Sequence, residues 1–419
     1  MSLDSKLDPL FEKLVADQWV PGIAGAIYDA SGKALYSKAF GVNHLGDPAS
    51  KPFTTSTPLS LFSTTKLITS VAALQLIEQG KLSLDDEAEK YVPELADIPV
   101  LDGYDANGTA QYRPQRKKIT VLNLLTHTAG FTYDFFDAST LAWRVGVQQK
   151  EPLRYQTGAK WTFQTPRIFD AGEDFTYGIN TDWLGFVIEA VTGQTLPDFI
   201  HANIIKPLGL QHTSAVPEGD FHPVYLRNAE DGSLTTLPAP PPDAPKPEVY
   251  GGGHFLHGTI DDYTQFLLAI INYGTHPTSG VKILERNTVE KYIFHDFIPE
   301  IAPNTKKVGR VPTALPQASL SGQFLPGVPV GWSAGFLINN ADVPRGRKAG
   351  SGFWAGLGNL YYWVDPTAGR LGAVVASVLP FLDPRVLEVF DAVEKVAYGG
   401  EPETDPAKRG FVLPLPELK

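Results

Sequence analysis

The order of strand-like and helix-like segments along the chain constrains its fold more than any other feature of the sequence. Apolar runs typical of buried strands lie at 22–28 and again between 334 and 378. Helical periodicity dominates between them, most clearly at 63–80, where apolar residues recur every three or four positions. One sheet made from both ends of the chain, with a helical insertion packed beside it, is the economical arrangement. The sequence therefore predicts an α+β fold.

Local signals place the individual elements. A turn at 29–32 joins the first strand to a hairpin partner at 33–42. Proline and glycine concentrate at 236–253 and 303–329, where we expect long loops. The remaining predictions are an amphipathic first helix around Leu7 and Leu14, helices at 119–125, 180–192 and 385–398, and strands at 334–338, 359–364 and 371–378.

Charge and composition narrow the class of protein. The 419 residues carry 35 Lys+Arg against 46 Asp+Glu, a net charge of −11. This argues against a nucleic-acid or anionic-membrane binder, because phosphates need cations over an extended face. The absence of cysteine excludes disulfides, thiolate zinc sites, iron–sulfur clusters and cysteine nucleophiles. No segment predicts a signal peptide or a membrane span, so we expect a soluble, cytoplasmic protein.

Two serine motifs compete for the role of nucleophile. Ser333 lies in G-x-S-x-G, which in α/β-hydrolases needs a preceding strand, a following helix and a downstream histidine. All nine histidines lie upstream of Ser333, and a strand-like segment follows it. Small residues entering a buried strand explain this motif better than catalysis does.

The second motif is S-x-x-K at Ser63–Lys66. The same string occurs at Ser279–Lys282, but there it lies in a loop rich in proline and glycine. Ser63 begins the long apolar helix, so Lys66 projects from the same face one turn later. A partly desolvated lysine there has a lowered pKa and can accept the serine proton. On local grounds alone, a serine N-cap followed by a solvated lysine explains the string equally well.

Several further motifs occur in a consistent order over most of the chain. They are V-P-G-I-A-G at 20–25, G-K-L-S-L-D-D at 80–86, I-T-V-L-N-L-L-T-H-T-A-G-F at 119–131, A-G-E-D-F-T-Y at 171–177, L-G at 184–185 and Y-G-G-G at 250–253. Together with S-x-x-K, they resemble the serine β-lactamase-like superfamily. Within it the sequence is most similar to the class C-like (family VIII-type) carboxylesterases and the lovastatin-type acyltransferases.

The resemblance implies a fold and a set of catalytic roles. It implies a β-lactamase/transpeptidase-like fold, with an antiparallel sheet flanked by helices, over a single domain at 1–419. Its α/β part would comprise 1–62 and 245–419, and its mostly helical part 63–244. By position Ser63 is the nucleophile, Lys66 its base and Tyr177 the acid that protonates the leaving group. The backbone N–H groups of Ser63 and Leu357 would form the oxyanion hole.

The sequence departs from β-lactamases at two places. Ile179 stands where they have an asparagine, and Asp182, five residues after the tyrosine, matches the esterases and acyltransferases instead. W-A-G-L at 354–357 replaces the usual K-T-G, so an apolar wall stands where β-lactamases bind a carboxylate. An alternative that stays open is a cation displaced from the K-T-G position, because Arg345, Arg347 and Lys348 lie close upstream. Penicillin hydrolysis is then at most a minor activity.

Other residues near these motifs have alternative interpretations. Residues expected to contact the substrate are Trp354, Gly356, which permits close approach of the acyl group, Tyr133 and Asp182. An aromatic cluster of Phe131, Tyr133, Phe135, Phe136 and Trp143 fits an acyl pocket as well as ordinary core packing. We expect a structural role for His127 and no metal site at His254 and His257, since a third ligand is missing. No cofactor is implied.

These observations favour a serine carboxylesterase that hydrolyses small or medium acyl esters. The alternative is an acyltransferase, which uses the same acyl-enzyme but passes the acyl group to an alcohol. Its partners would be a small-molecule ester and, for transfer, an acceptor alcohol, with neither nucleic acid nor membrane. A catalytically inactive binding protein is the remaining alternative, and it is disfavoured because Ser63, Lys66 and Tyr177 are all present.

Overall fold

A seven-stranded antiparallel sheet lies at the centre of the protein. The computed structural model describes residues 2–217, 219–237, 246–403 and 405–417. The strands of the central sheet are β1 (Gly22–Asp29), β2 (Ala34–Gly41), β3 (Val330–Trp332), β4 (Leu337–Asn339), β5 (Ser351–Gly356), β6 (Leu360–Asp365) and β7 (Arg370–Val375). Their order across the sheet is β3-β4-β5-β6-β7-β1-β2. The prediction of one sheet built from both ends of the chain is confirmed.

The register of the sheet joins the two ends of the chain directly. Ala26 in β1 pairs with Ala373 in β7, which pairs with Tyr362 in β6. Tyr362 in turn pairs with Trp354 in β5. Through β7 and β6, the amino-terminal hairpin is thus connected to β5, which contains the first three residues of the W-A-G-L motif.

Helices cover both faces of the sheet. The long helices are α1 (Leu3–Ala16), α2 (Thr65–Glu78), α3 (Asn180–Thr192), α4 (Ile260–Ile271) and α5 (Pro384–Ala397). Adjacent side chains on a strand point to opposite faces. Tyr362 contacts Tyr263 of α4, with ring centroids 5.3 Å apart, whereas Trp363 contacts Phe390 of α5 at 5.8 Å. The helices α4 and α5 therefore lie on opposite faces.

The middle of the chain packs beside the sheet and contains short elements. Short helices occupy Val121–Leu125, Ala138–Ala142, Leu196–Ile200, Lys206–Leu208, Arg286–Thr288 and Ile298–Ile301. Short strands occupy Leu59–Ser60, Val100–Tyr104, Ala110–Arg113, Tyr225–Arg227, Leu234–Thr236, His257–Gly258, Arg310–Val311, Gly322–Phe324, Val378–Leu379 and Phe411–Val412. The expected division at 244/245 and part of the loop at 236–253 lie outside the described residues, so the division into two parts stays a prediction.

Two predicted strands differ from those observed. The strand expected at 334–338 begins at Leu337, because the Ser333 hydroxyl accepts hydrogen bonds from the N–H groups of Gly335 and Phe336 and holds them in a turn. The strand expected at 371–378 ends at Val375. Val378–Leu379 instead pairs with Tyr225–Arg227 in a separate sheet. In the described part of the chain, every helix lacks the length or the apolar character needed to cross a bilayer.

Candidate active site

Ser63 lies at the entrance to α2. It is the middle residue of a 3₁₀ turn, Phe62–Thr64, that leads directly into the helix. Phe62 has a φ of +47°, a left-handed conformation that costs a non-glycine residue on the order of 1–3 kcal/mol. Two hydrogen bonds hold this turn in place. The Leu61 N–H donates to Leu256 O, and the Thr64 hydroxyl donates to Leu61 O. The surrounding fold therefore fixes the position of Ser63.

The Lys66 ammonium group lies within hydrogen-bonding distance of the serine. Its Nζ is 3.1 Å from Ser63 Oγ, 2.9 Å from Tyr133 Oη and 3.0 Å from the carbonyl oxygen of Gly253. The lysine is 2% exposed. Burial lowers its pKa well below the usual value, and the negative charge of Asp182 opposes this change only in part. The structure thus brings together the serine and lysine that the S-x-x-K spacing predicts.

Asp182 lies behind the lysine rather than in the cavity. It is 0% exposed and accepts a 2.9 Å hydrogen bond from the Gly253 N–H. Its other carboxylate oxygen is 3.5 Å from Tyr133 Oη, which donates to it. Burial raises the pKa of Asp182, although the Lys66 charge works against this change. Asp182 is not among the described residues that line the cavity, and its carboxylate binds Tyr133 and Gly253 instead of facing the position expected for a substrate contact.

Tyr177 completes the group around Ser63. Its hydroxyl accepts a 2.9 Å hydrogen bond from the indole N–H of Trp354, and its ring centroid is 4.8 Å from Lys66 Nζ. Burial raises the pKa of Tyr177 above its usual value, while hydrogen bonds from the Ser63 and Trp354 side chains lower it less. The phenol is therefore protonated at neutral pH and is a proton donor in the resting site. Trp354 holds this hydroxyl in addition to lining the cavity.

The end of β5 lies against the turn that carries Ser63. A Cβ atom on Gly356 would lie 2.8 Å from Leu61 O, so only glycine permits this approach. Gly356 also lines the cavity, and the close approach of the acyl group expected there stays a prediction. Leu357 follows β5 and lines the same cavity as Ser63. The structure thus places the two residues of the expected oxyanion hole beside one cavity.

A cavity of about 350 Å³ opens beside Ser63, in the size range of small-molecule sites. Its walls are largely apolar and aromatic, and they include Tyr133, Phe135, Phe136, Tyr155, Phe175, Tyr177, Trp354 and Phe381. Two members of the predicted aromatic cluster lie elsewhere. Phe131 stacks on Trp183 with ring centroids 5.8 Å apart, and the Trp143 indole donates to Tyr112 Oη at 2.8 Å. The cluster therefore divides between the cavity and ordinary packing.

Some residues at the cavity carried no signal in the sequence. Lys307, Arg310 and Leu415 line it from loops and short strands far from the recognised motifs. His254 also lines it, and neither ring nitrogen has a partner among the described residues. Burial lowers the pKa of His254 to about 3, so its ring is neutral. Gly253 belongs to the Y-G-G-G motif, but its contact with Lys66 was missed, since a backbone carbonyl makes that contact and any residue type carries one.

The alternative serines lie in other surroundings. Ser333 is 0% exposed, and its hydroxyl is engaged by the turn between β3 and β4. Ser279 lies in a loop, and its Oγ is 3.1 Å from His276 Nδ1. Lys282 pairs with Glu285 rather than with Ser279. Neither of these serines lines the cavity.

The three cations upstream of β5, considered as replacements for the lysine of K-T-G, do not reach the site. Arg345 pairs with Asp391 at 2.7 Å, and Arg347 pairs with Glu394 at 2.7 Å. These buried pairs join the loop before β5 to α5. Lys348 pairs with the exposed Asp342. The paired carboxylates hold all three cations away from the cavity wall.

His127 lies behind Tyr177 in a closed environment. It is 1% exposed, and its ring centroid is 4.6 Å from that of Tyr177. Its Nδ1 is 3.0 Å from Asn180 Nδ2, which also donates to Phe131 O. Burial lowers the pKa of His127, and the Lys66 charge lowers it further. A neutral histidine in this position supports the tyrosine ring, in agreement with the structural role expected for it.

Comparisons with known proteins show which family the chain belongs to. The β-lactamase family model matches residues 7–388. Monacolin J acid methylbutanoyltransferase of Aspergillus terreus is 27% identical over 406 residues, covering 94% of this chain and 95% of that protein. Lovastatin esterase of Penicillium rubens is 30% identical over 392 residues, covering 89% of this chain and 93% of that protein.

A solved structure extends the similarity to three dimensions. Unliganded simvastatin synthase from Aspergillus terreus, as its selenomethionyl derivative, matches with a TM-score of 0.79 and 27% identity. The match covers 94% of this chain and 97% of that one. The β-lactamase/transpeptidase-like fold expected from the sequence is confirmed. By family model, sequence and structure, the chain belongs to the β-lactamase family.

Proposed function

We propose that the protein is a serine carboxylesterase that hydrolyses small or medium acyl esters through an acyl-enzyme on Ser63. The observation that carries this proposal is the 3.1 Å contact between Lys66 Nζ and Ser63 Oγ at the wall of an apolar cavity. The fully buried lysine has a lowered pKa, which makes its neutral, basic form accessible near neutral pH. Relatives named as a methylbutanoyltransferase and an esterase support chemistry at an acyl carbon.

Acylation begins when neutral Lys66 takes the proton of the Ser63 hydroxyl. The serine oxygen attacks the ester carbonyl, and the carbonyl electron pair moves onto oxygen. The backbone N–H groups of Ser63 and Leu357 then stabilise this oxyanion. Such donors contribute most where water is excluded, and the aromatic walls of the cavity exclude it.

Collapse of the tetrahedral intermediate breaks the bond to the leaving alcohol. Tyr177 donates its proton to the departing oxygen and regains one from the Lys66 ammonium, which restores the neutral amine. The high pKa of the phenol suits a donor to an alkoxide, since an alkoxide is more basic still. Trp354 keeps the hydroxyl oriented through its indole N–H.

The second half-reaction decides between hydrolysis and transfer. Water attacking the acyl-enzyme releases the acid, whereas an alcohol bound in the cavity gives a new ester. The apolar lining favours the second candidate function, an acyltransferase, because an apolar acceptor displaces water from such walls. The ester, the acceptor alcohol and a cytoplasmic location are part of this proposal, as is the absence of nucleic-acid and membrane partners.

The proposal is tested with p-nitrophenyl butyrate, with and without a panel of alcohols. We expect nitrophenol release from wild type and from Ser279→Ala, which removes the serine of the second S-x-x-K string. Ser63→Ala should release none above background. Equal release by Ser63→Ala and wild type would refute the proposal. Butyryl esters of an added alcohol would identify a transferase, and butyrate alone in all mixtures a hydrolase.

A further inference from the structure

Two cations interrupt the apolar lining of the cavity. Among the described residues that line it, Lys307 and Arg310 alone carry a formal charge at neutral pH. Both are positive in a chain whose net charge is −11. A charge beside aromatic walls interacts more strongly than one in open water, because the local dielectric constant is lower. The cavity therefore combines an apolar body with one positive edge.

The two cations differ in how far the protein neutralises them. Lys307 Nζ is 2.5 Å from the carboxylate of Asp174, and both side chains are partly exposed. Arg310 makes only neutral contacts in the described part of the chain, to Gln323 Oε1 at 3.4 Å and to the carbonyl of Pro416. Its half-buried guanidinium has five N–H donors, more than these two acceptors use. Arg310 is the cation available to a ligand.

The backbone fixes these cations on the wall. The Arg310 N–H donates to Lys307 O at 3.1 Å, and Gly309 between them has a φ of +77°. Arg310 also pairs with Gln323 in a small three-stranded sheet. A guanidinium held on a strand is better placed for a bidentate contact than one on a free loop.

We propose that Arg310, assisted by Lys307, forms an anion subsite that binds a carboxylate at the end of an otherwise apolar substrate. That the bound carboxylate belongs to a substrate rests on the proposed function, whereas the binding of a carboxylate does not. It narrows the substrate class to amphiphilic carboxylic acids, on either the ester or the acceptor alcohol. Arg310 acts in binding and takes no part in the chemistry at Ser63.

Calorimetry with decanoate and decanamide tests the subsite at neutral pH. The two probes share one apolar chain and differ in the charge of the head group. We expect wild type and Ser63→Ala to bind decanoate about tenfold more tightly than decanamide. Arg310→Gln should abolish this preference, Lys307→Gln should reduce it, and Arg310→Lys should keep part of it. Lys306→Gln, an exposed lysine beside the pair that does not line the cavity, is the matched control.

Each outcome has a definite meaning. Equal affinity for the two probes in wild type, or a preference that survives in Arg310→Gln, would overturn the subsite. Thermal unfolding of each variant shows that a lost preference is not lost folding. Because binding needs no turnover, failure of wild type to hydrolyse p-nitrophenyl butyrate would refute the proposed function and leave the subsite standing.

Discussion

The protonation state of one residue, Lys66, governs the proposed chemistry. Burial lowers its pKa, because a charged ammonium loses hydration inside the protein. Asp182 acts in the opposite direction, since its negative charge stabilises the ammonium. The base is the neutral amine, so kcat/KM should rise with pH through the pKa of Lys66. That limb should lie well below the ordinary lysine pKa of about 10.4.

Asp182→Asn tests this balance of charges. The asparagine carbonyl can still accept the hydrogen bond from the Gly253 N–H, while the negative charge is lost. The pKa of Lys66 should fall further, so the acid limb of kcat/KM for p-nitrophenyl butyrate should move to lower pH. The exposed Asp85→Asn should leave the limb in place. A limb that stays fixed or rises in Asp182→Asn would contradict the assignment of Lys66 as the base.

Tyr177→Phe tests the proton donor. Removing the phenol leaves the alcohol to depart without a proton, so we expect kcat/KM to fall by about 10²-fold or more. Trp354→Phe should cost less, because it removes the 2.9 Å hydrogen bond that orients the phenol but leaves the phenol itself and an aromatic ring at the cavity wall. Steady-state kinetics with p-nitrophenyl butyrate measure both effects. Tyr112→Phe, an exposed position, is the control, and a Tyr177→Phe enzyme as fast as wild type would exclude the tyrosine from catalysis.

Motif spacing predicted the residues around Ser63 but not all of their partners. The helix that starts beside Ser63 is apolar and buried on all sides, and the i, i+3 spacing alone places Lys66 on the same face as Ser63. Asp182 was expected at the substrate, yet it lies behind Lys66. Its partner, the Gly253 N–H, carries no side-chain signal. Lys307 and Arg310 could not be found either, because no local pattern relates a loop cation to a distant cavity.

Among the elements, close approach of a phenylalanine ring to a strand backbone determines how α1 packs on the sheet. Gly25 in β1 faces Phe11 of α1, and a Cβ atom there would lie 2.4 Å from the Phe11 ring. Phe11 is 0% exposed and stacks on Tyr36 and Phe40 of β2. The phenylalanine therefore has little room to move aside.

Gly25→Ala should destabilise the protein by about 1–3 kcal/mol, the usual cost of adding a methyl group to a filled core. Gly146→Ala is the matched control, since its Cβ atom would meet nothing within 4 Å and its φ is not positive. Urea unfolding measures both. Equal midpoints for the two variants would show that α1 does not pack tightly on β1.

A buried ion pair joins the loop before β5 to α5. Arg347 and Glu394 are 1% and 0% exposed, and the arginine binds both carboxylate oxygens, at 3.0 and 2.7 Å. Burial alone would raise the pKa of Glu394, but the charges of Arg347 and Arg345 lower it below its usual value. Its ionisation therefore stabilises the fold above the ordinary glutamate pKa, and this contribution is lost as the pH falls.

Arg347→Met should cost about 3–5 kcal/mol, because it leaves the Glu394 carboxylate with only the more distant Arg345. Adding Glu394→Gln to that variant should recover part of the loss by removing the buried charge. Denaturant unfolding at pH 7 gives both free energies. An Arg347→Met variant as stable as wild type would mean that solvent reaches the Glu394 carboxylate.

In the molecule as a whole, the site forms where segments distant in the sequence meet. Ser63 comes from the turn that leads into α2, Trp354 from β5, Leu357 from the position just after β5, and Leu415 from the segment beyond α5. The alternation of strand and helix periods predicted the sheet, because those runs are long and apolar. The strands of two or three residues, such as Phe411–Val412, are too short to show a period, and their partners are distant in sequence.

The assignment of Ser63 as the nucleophile is tested most directly by identifying the residue that diethyl p-nitrophenyl phosphate phosphorylates. This reagent imitates an ester, and its serine adduct hydrolyses slowly enough to be weighed. Intact mass and peptide mapping should find one diethylphosphoryl group on Ser63 in wild type and in Ser279→Ala, and none in Ser63→Ala. An adduct that persists in Ser63→Ala, or one mapped to another serine of wild type, would contradict the assignment of Ser63 as the nucleophile.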